Sequence, residues 1–158
     1  MNTTIEQDDI DDLIPESHIS LDEPPNEKEA CIEYLLDLIV DSGRVSDRDA
    51  ALEALFAREA ETTTGVGMGI GIPHAKTDAV TRPSVAFTRS TDGIDFGAMD
   101  DEPAKLLFMI LVPESGAEDH LTILSSLSRA LMHEEVRDDL YTAEMPEDVQ
   151  NALQEAVA

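Results

Sequence analysis

Cysteine, tryptophan and lysine are scarce in this sequence of 158 residues. Tryptophan is absent, Cys31 is the one cysteine, and the lysines are Lys28, Lys76 and Lys105. One cysteine excludes an intramolecular disulfide, and because no two histidines have the spacing of metal ligands, a metal site is the weaker alternative. The apolar residues at helical spacing around Cys31 predict a buried small side chain rather than a reactive thiol.

Long apolar runs and a targeting segment are also missing. The longest apolar run, Leu106–Val112, is far below the ~20 residues that a membrane-spanning helix needs. Residues 1–12 are acidic and lack the apolar segment of a signal peptide. We therefore expect a soluble protein of the cytoplasm with no direct insertion into a membrane.

Charge is strongly one-sided, with 35 acidic residues against 10 lysines and arginines and a formal net charge of −25. This balance argues against nucleic-acid binding, which depends on clustered cations. The acidic residues are spread along the chain rather than gathered in a tail, which indicates that the whole surface is adapted to a cytosol of high salt. An acidic protein from an organism of ordinary salinity is the alternative.

Apolar residues at helical spacing predict five helices. The first begins at Asn26, where Glu29 completes a capping box, and ends at Gly43. The second runs from about Ser46 to a run of three threonines, and the third begins near Ala117. The apolar positions of the last three helices are Leu121, Leu124, Leu127 and Leu131, then Val136 with Leu140, then Val149 with Leu153.

The segments between the helices have strand character, and this alternation predicts an α/β fold built in layers. The length suits one domain, which we place at residues 14–158 behind a disordered acidic leader at residues 1–13. Lys105–Val112 is apolar after its first residue, as expected for a central strand covered on both faces. The other predicted strands are Ile19–Leu21, Met68–Pro73 and Ser84–Ser90, with a turn at Asp92-Gly93 before Ile94–Phe96.

A histidine follows a run of alternating glycines. Glycine occupies every second position from Gly65 to Gly71, and Ile72, Pro73 and His74 come next. The spacing fits neither the dinucleotide-binding motif nor the P-loop. Backbone without Cβ atoms can approach an anion such as phosphate, and a neutral imidazole beside it can accept a phosphoryl group. The alternative is that the glycines serve strand packing or a bulge and that His74 is an ordinary loop histidine.

Two further polar residues are expected near His74. In open α/β sheets, reactive groups gather beyond strand ends and next to helix N-termini. His120 lies near the start of the third helix, and Arg58 ends the helix that precedes the glycines. A guanidinium stays charged and can bind phosphate through two hydrogen bonds. Taken singly, His120 could have no task and Arg58 could pair with Glu61 on the surface.

An arginine, two histidines and two structural breaks follow one another in the order Arg58-Glu59, Thr63-Thr64-Gly65, Gly71-Ile72-Pro73-His74, Leu111-Val112-Pro113, Gly116, His120-Leu121, Leu124 and Leu127-Ser128. This pattern resembles the fructose/mannitol-type enzyme IIA domain of the phosphoenolpyruvate-dependent sugar phosphotransferase system (PTS). The resemblance extends from Ile14 to the C-terminus. It implies a mixed sheet of about five strands with helices on both faces.

The resemblance also implies a phosphoryl relay that forms a phosphohistidine intermediate. His74 would accept a phosphoryl group from the phosphocarrier HPr and pass it to a cysteine of enzyme IIB. Enzyme IIB in turn phosphorylates the sugar that enters through the membrane enzyme IIC. Fructose is the sugar expected for the family. His120 and Arg58 would be the other catalytic residues and would hold the phosphoryl oxygens. Thr64 would line the phosphoryl pocket through its hydroxyl and amide. The resemblance implies no metal and no cofactor.

Partner docking should depend on short-range contacts, because the Debye length falls to ~3 Å at 1 M salt. We expect an apolar rim of Met68, Ile72 and Phe96 around His74. Lys76 is expected to be solvated, and His18 and His133, which match nothing functional, are expected at the surface. Two other functions stay open: a nitrogen-type regulatory IIA protein that signals its phosphorylation state by binding other proteins, and a binding module without catalysis.

Overall fold

The computed structural model describes residues 7–61 and 64–156. In these ranges the chain forms six α-helices, five β-strands and one 3₁₀ turn at Glu16–His18. None of these helices is long and apolar enough to cross a bilayer. The elements are α1 (Gln7–Leu13), α2 (Lys28–Asp41), α3 (Arg48–Glu61), β1 (Gly65–Gly67), β2 (Ile70–Gly71), β3 (His74–Lys76), β4 (Ser84–Ile94), β5 (Ala104–Val112), α4 (Ala117–Leu131), α5 (Glu134–Thr142) and α6 (Pro146–Ala156).

Strand β5 is the centre of a mixed sheet. Strand β4 runs antiparallel along one edge of β5, while β2 and β3 run parallel along the other. Strand β1 folds back antiparallel on β2. The pairing of His74 with Ile110 fixes the position of β3 on the central strand. The prediction of a mixed five-stranded sheet is confirmed.

Alternate side chains of β5 enter two separate hydrophobic clusters. One cluster contains Leu106, Phe108 and their neighbours with residues of α1, α4, α5 and α6. The other contains Leu107, Met109 and their neighbours with residues of α2 and α3. Because both faces of β5 are covered, the strand is apolar from Leu106 to Val112 instead of alternating with polar residues. The predicted central strand and the predicted helices on both faces are therefore confirmed.

The predicted strand Met68–Pro73 is reduced to the two residues of β2, and Met68 and Gly69 belong to a turn. Strands β1 and β2 form a hairpin whose turn contains three residues in succession with positive φ: Gly67, Met68 and Gly69. The Met68 amide donates to Asp100 Oδ2 at 2.9 Å, which holds this uncommon conformation. Alternation of glycine with apolar residues imitates a strand pattern, so the turn has no separate signal in the sequence.

Two other strand predictions need correction. The predicted turn at Asp92-Gly93 is absent, since β4 continues to Ile94 with an irregular register after Arg89. Gly93 has a φ of +90°, which permits this irregularity without ending the strand. The predicted first strand is reduced to one bridge between Ile19 and Phe87.

The helix predictions are confirmed in number and order from α2 to α6, with two local errors. No side-chain hydrogen bond caps α2, so the predicted capping box is wrong. Leu121 is 66% exposed because the buried stripe of α4 runs through Ile123, Leu127 and Leu131, and a residue two positions from Ile123 points about 200° away. Cys31 is fully buried, as predicted, and burial raises the pKa of its thiol to about 12.

The prediction of a disordered leader is wrong for residues 7–13. They form α1, in which Ile10 and Leu13 are buried in the cluster shared with α4 and α6. Directly after α1, the Ile14 carbonyl accepts a hydrogen bond from Gln150 Nε2 at 2.9 Å. Residues 1–6 lie outside the described part of the chain.

His18 is fully buried, so its predicted place at the surface is wrong, whereas His133 is exposed as predicted. The Nδ1 atom of His18 donates to the Val85 carbonyl at 3.0 Å, and Nε2 lies 2.8 Å from Ser42 Oγ. Burial, more than the nearby Arg44 charge, lowers the pKa of His18 to about 4. The ring is therefore neutral at pH 7 and joins the 3₁₀ turn to β4 and to the end of α2.

We expect His18 to make the domain sensitive to acid. Its pKa is near 6.5 in the unfolded chain and about 4 in the fold, so the unfolded chain binds more protons between these values. His18 therefore makes its full contribution to the free energy of unfolding, on the order of 3 kcal/mol, above pH 6.5. This contribution is lost as the pH falls through 4. Urea denaturation of His18→Gln between pH 7 and 4 should show a shallower pH dependence than the parent chain. A slope equal to that of the exposed-site control His133→Gln would contradict this.

Candidate active site

His74 begins β3 and is almost fully buried, with 7% of its surface exposed. The break between β2 and β3 contains Pro73, whose carbonyl accepts a hydrogen bond from the Ile110 amide at 3.0 Å. His74 Nδ1 lies 2.6 Å from the Ile72 carbonyl oxygen. Because a carbonyl can only accept, Nδ1 carries the proton and Nε2 carries the lone pair.

The glycines before His74 have identifiable structural tasks. Gly67 and Gly69 adopt the positive φ values of the hairpin turn. A Cβ atom on Gly71 would lie 3.3 Å from side-chain atoms of Ala104 and Leu107, so this position needs the close approach that glycine allows. Strand packing, the alternative weighed from the sequence, thus accounts for Gly71, and the turn conformation accounts for Gly67 and Gly69. Their use as a phosphate cradle stays a prediction.

An open pocket of about 410 Å³ lies against His74. It is bordered by the end of α3, by β3 and by the start of α4. All three predicted catalytic residues line it, although they are separated by up to 62 positions in the sequence. The lining residues are Ala54, Ala57, Arg58, Glu61, His74, Ala75, Lys76 and His120.

His120 faces His74 across this pocket. The ring centroids are 5.2 Å apart and the ring planes are inclined by 41°. His120 Nε2 is buried and has no hydrogen-bond partner among the residues that the structure describes. A buried polar atom without a partner is costly, and such an atom is ready to bind an incoming oxygen.

The lining of the pocket reverses the charge balance of the chain. Arg58 and Lys76 contribute two cations, and Glu61 is the one carboxylate among the lining residues. The chain as a whole carries 35 acidic residues against 10 basic ones. Lys76 is exposed, as predicted, but it also belongs to the pocket, because residues two apart on a strand point to the same side and His74 precedes it by two. This spacing was the available signal for Lys76.

Both imidazoles are neutral at pH 7. Burial, more than any other effect, lowers the pKa of His74, and Arg58 adds to this lowering. Burial, followed by electrostatic interactions with His74, Lys76 and Arg58, lowers the pKa of His120 to about 4. A neutral His74 keeps the Nε2 lone pair available for attack at physiological pH. The pocket therefore combines a nucleophile with groups that can bind an anion.

Thr64 is placed differently from the expectation. Its amide donates to Glu59 Oε2 at 2.9 Å, and its hydroxyl donates to the other carboxylate oxygen. Both polar groups assigned to the phosphoryl pocket are thus engaged by a carboxylate at the end of α3. Glu59 is part of the family pattern, but nothing in the sequence indicates that it holds Thr64.

The predicted apolar rim around His74 is wrong for two of its three residues, and for Met68 it stays a prediction. Met68 is 42% exposed at the hairpin turn, whereas Ile72 and Phe96 are each 1% exposed and belong to the two hydrophobic clusters. Ile72 and Phe96 therefore cannot contact a partner. The apolar side chains that are exposed instead include Val66 in the hairpin, at 54%, and Met99 in the loop between β4 and β5, at 99%.

Comparison with known proteins gives one consistent relationship. The family model described as "Phosphoenolpyruvate-dependent sugar phosphotransferase system, EIIA 2" matches residues 12–156. A protein named as a PTS system fructose-specific EIIA component, from Haloferax volcanii, is 67% identical over 149 residues, which are 94% of this chain and 97% of that protein.

Solved structures agree with this relationship. The nitrogen regulatory protein IIA-Ntr from Neisseria meningitidis superimposes with a TM-score of 0.80 at 33% identity, covering 91% of this chain and 98% of that one. Enzyme IIA mannitol from Escherichia coli, in its complex with phosphorylated enzyme IIB mannitol, gives a TM-score of 0.76 at 26% identity, covering 88% and 95%. The chain belongs to the EIIA-2 family of the PTS and is a phosphotransferase component of the kind that forms a phosphohistidine.

Proposed function

We propose that this protein is a cytoplasmic phosphocarrier that receives a phosphoryl group on His74 and passes it on for fructose uptake. The donor is HPr, the acceptor is a cysteine of enzyme IIB, and the membrane enzyme IIC is served indirectly. The 67% identity to the fructose-specific component of Haloferax volcanii supports the sugar assignment. The E. coli complex, in which enzyme IIA mannitol is bound to phosphorylated enzyme IIB mannitol, supports the acceptor.

The main support for the proposal is the tautomer of His74, which lies in a pocket whose cations can neutralise the charge of a phosphoryl group. Because Nδ1 donates to the Ile72 carbonyl, Nε2 is the attacking atom. In the transfer, a bond forms between Nε2 and phosphorus while the bond from phosphorus to the donor nitrogen breaks, and its electron pair returns to the donor. The proton on Nδ1 stays in place, so the product is a cationic phosphoimidazole that can release the group again.

Arg58, His120 and Lys76 support this transfer by charge and hydrogen bonding. Phosphoryl transfer depends on in-line placement and on stabilising the charge of the equatorial oxygens rather than on elaborate covalent chemistry. Arg58 can bind two of these oxygens, and His120 Nε2 has no competing partner in the described ranges. No step requires a general base, since neutral His74 has no proton on Nε2.

Incubation with phosphoenolpyruvate, enzyme I and HPr tests the proposal. We expect one acid-labile phosphoryl group per chain, located on the peptide that contains His74 by mass spectrometry and assigned to Nε2 by nitrogen NMR. Release of the label to a purified fructose-type enzyme IIB completes the relay. Absence of label from the wild-type chain, or label on another residue, would overturn the assignment.

A regulatory role is the second candidate, and the similarity to the Neisseria nitrogen regulatory protein favours it. Its 33% identity is half that of the Haloferax relative. Transfer of the label to enzyme IIB distinguishes the two functions, because a phosphocarrier loses its phosphoryl group to enzyme IIB. A regulator binds other proteins according to its phosphorylation state whether or not a sugar is being transported.

A further inference from the structure

Glu59 is a charged residue that the transfer mechanism above does not use. Its side chain is only 8% exposed, although it lies beside Arg58 in the last turn of α3. Burying a carboxylate is costly unless it is paired and hydrogen-bonded. Lys28 Nζ lies 2.6 Å from Glu59 Oε2 and 5.4 Å from the centre of the Phe96 ring. The amide and hydroxyl of Thr64 supply two more donors.

Three hydrogen bonds, joined through the backbone of Thr64 and Ile72, lead from this carboxylate to His74. Glu59 accepts from the Thr64 amide, and the Thr64 carbonyl accepts from the Ile72 amide at 2.9 Å. The Ile72 carbonyl in turn accepts from His74 Nδ1 at 2.6 Å. Thr64 and Ile72 therefore each donate through the backbone amide and accept through the backbone carbonyl, so both residues are held between Glu59 and His74.

We propose that Glu59 is a positioning residue for phosphoryl transfer, which fixes the tautomer and ring orientation of His74 through Thr64 and Ile72. The proposal rests on the function assigned to His74 above. Second-layer groups of this kind commonly fix the orientation and basicity of a functional imidazole. The position of Glu59 in the chain adds a further effect, because the same anchored turn carries Arg58 to the pocket.

The charge of Glu59 acts in the same direction as its hydrogen bonds. Burial and Arg58 lower the pKa of His74, whereas the Ile72 carbonyl and the Glu59 carboxylate raise it. A more basic Nε2 is a stronger nucleophile as long as it remains unprotonated. Glu59 thus offsets part of the loss of basicity that burial and the cationic pocket impose on His74.

Glu59→Gln tests this role, with Glu53→Gln as the matched control on an exposed position of the same helix. We expect Glu59→Gln to lower the turnover rate from phosphorylated HPr by roughly 10- to 100-fold, the usual cost of a second-layer change, with little change in KM. Labelling should still reach one group per chain. Nitrogen NMR of His74 should show a mixture of tautomers and a pKa below that of the parent chain.

Glu59→Gln removes the carboxylate that pairs with Lys28, and this loss could unfold the variant. Two substitutions of Thr64 therefore provide a second test. Thr64→Ser keeps both donors and should behave like the parent chain, whereas Thr64→Val loses the hydroxyl and should shift the tautomer mixture in the direction of Glu59→Gln. Equal rates and equal tautomer populations in the Glu59→Gln and Glu53→Gln proteins would overturn the proposal. Failure of the wild-type chain to accept a label would instead overturn the proposed function, and the tautomer measurement would still test the positioning role.

Discussion

Replacement of His74 by alanine is expected to abolish phosphoryl uptake. The Nε2 atom of His74 is the proposed bond-forming atom, and no other described nitrogen of the pocket combines a free lone pair with the same carbonyl-fixed orientation. Loss of a nucleophile removes the covalent intermediate itself, so the rate of labelling by phosphorylated HPr should fall by roughly 10³-fold or more. The measurement is the stoichiometry of acid-labile phosphate after long incubation.

Two variants make this result specific. His133→Ala, at an exposed position away from the pocket, should label like the parent chain. His120→Ala should lower the rate by roughly 10²-fold, the usual cost of one lost stabilising donor, yet reach the same final stoichiometry. Stoichiometric labelling of His74→Ala would remove the relay assignment, and an unchanged rate for His120→Ala would show that its role is wrongly assigned.

Potassium chloride is expected to have the largest effect on stability. Two like unit charges about 10 Å apart in water repel each other by ~0.4 kcal/mol. Removing the repulsion in ten such pairs would therefore raise the free energy of unfolding by about 4 kcal/mol. Screening provides this relief, because the Debye length falls from ~30 Å at 0.01 M to ~3 Å at 1 M salt. A gain of that size raises Tm by roughly 8–16 °C for a chain of this length.

Calorimetry over a series of KCl concentrations measures the effect, and a charge-neutralised variant provides the control. Asp92, Asp101 and Glu102 are exposed on the loop side of β4, and Asp101 has a positive φ that asparagine tolerates. Asp92→Asn, Asp101→Asn and Glu102→Gln together should reach a given Tm at a lower salt concentration. A Tm that is constant across the series would contradict adaptation of the surface to high salt.

Periodicity and spacing predict most of the architecture because burial imposes them directly. The apolar run of β5 and the helical stripes around Leu35 and Leu127 each follow from a face that must leave water. Prediction fails at Met68 because its backbone conformation depends on a contact with Asp100, 32 positions away, and at Gly93 because its conformation depends on how β4 pairs with β5. Local sequence carries no record of such long-range support.

The same distinction applies to the site. That Arg58, His74 and His120 lie together was predictable since arginine and histidine occur in a characteristic order, and the pocket contains all three. The engagement of Thr64 by Glu59 was not predictable, because a carboxylate next to an arginine on a helix end ordinarily faces solvent. His18 was missed for a similar reason, as only the fold shows that Val85 and Ser42 enclose it.

Strand β5 contributes side chains to both hydrophobic clusters, and this determines how the domain unfolds. Neither helical layer can unfold alone. Removing either layer exposes half of the side chains of β5 to water, and this destabilises the strand on which the other layer packs. Unfolding should accordingly be all-or-none, without a surviving half. Since β3 takes its register from the same strand, the ability to carry a phosphoryl group should disappear in that single cooperative event and no earlier.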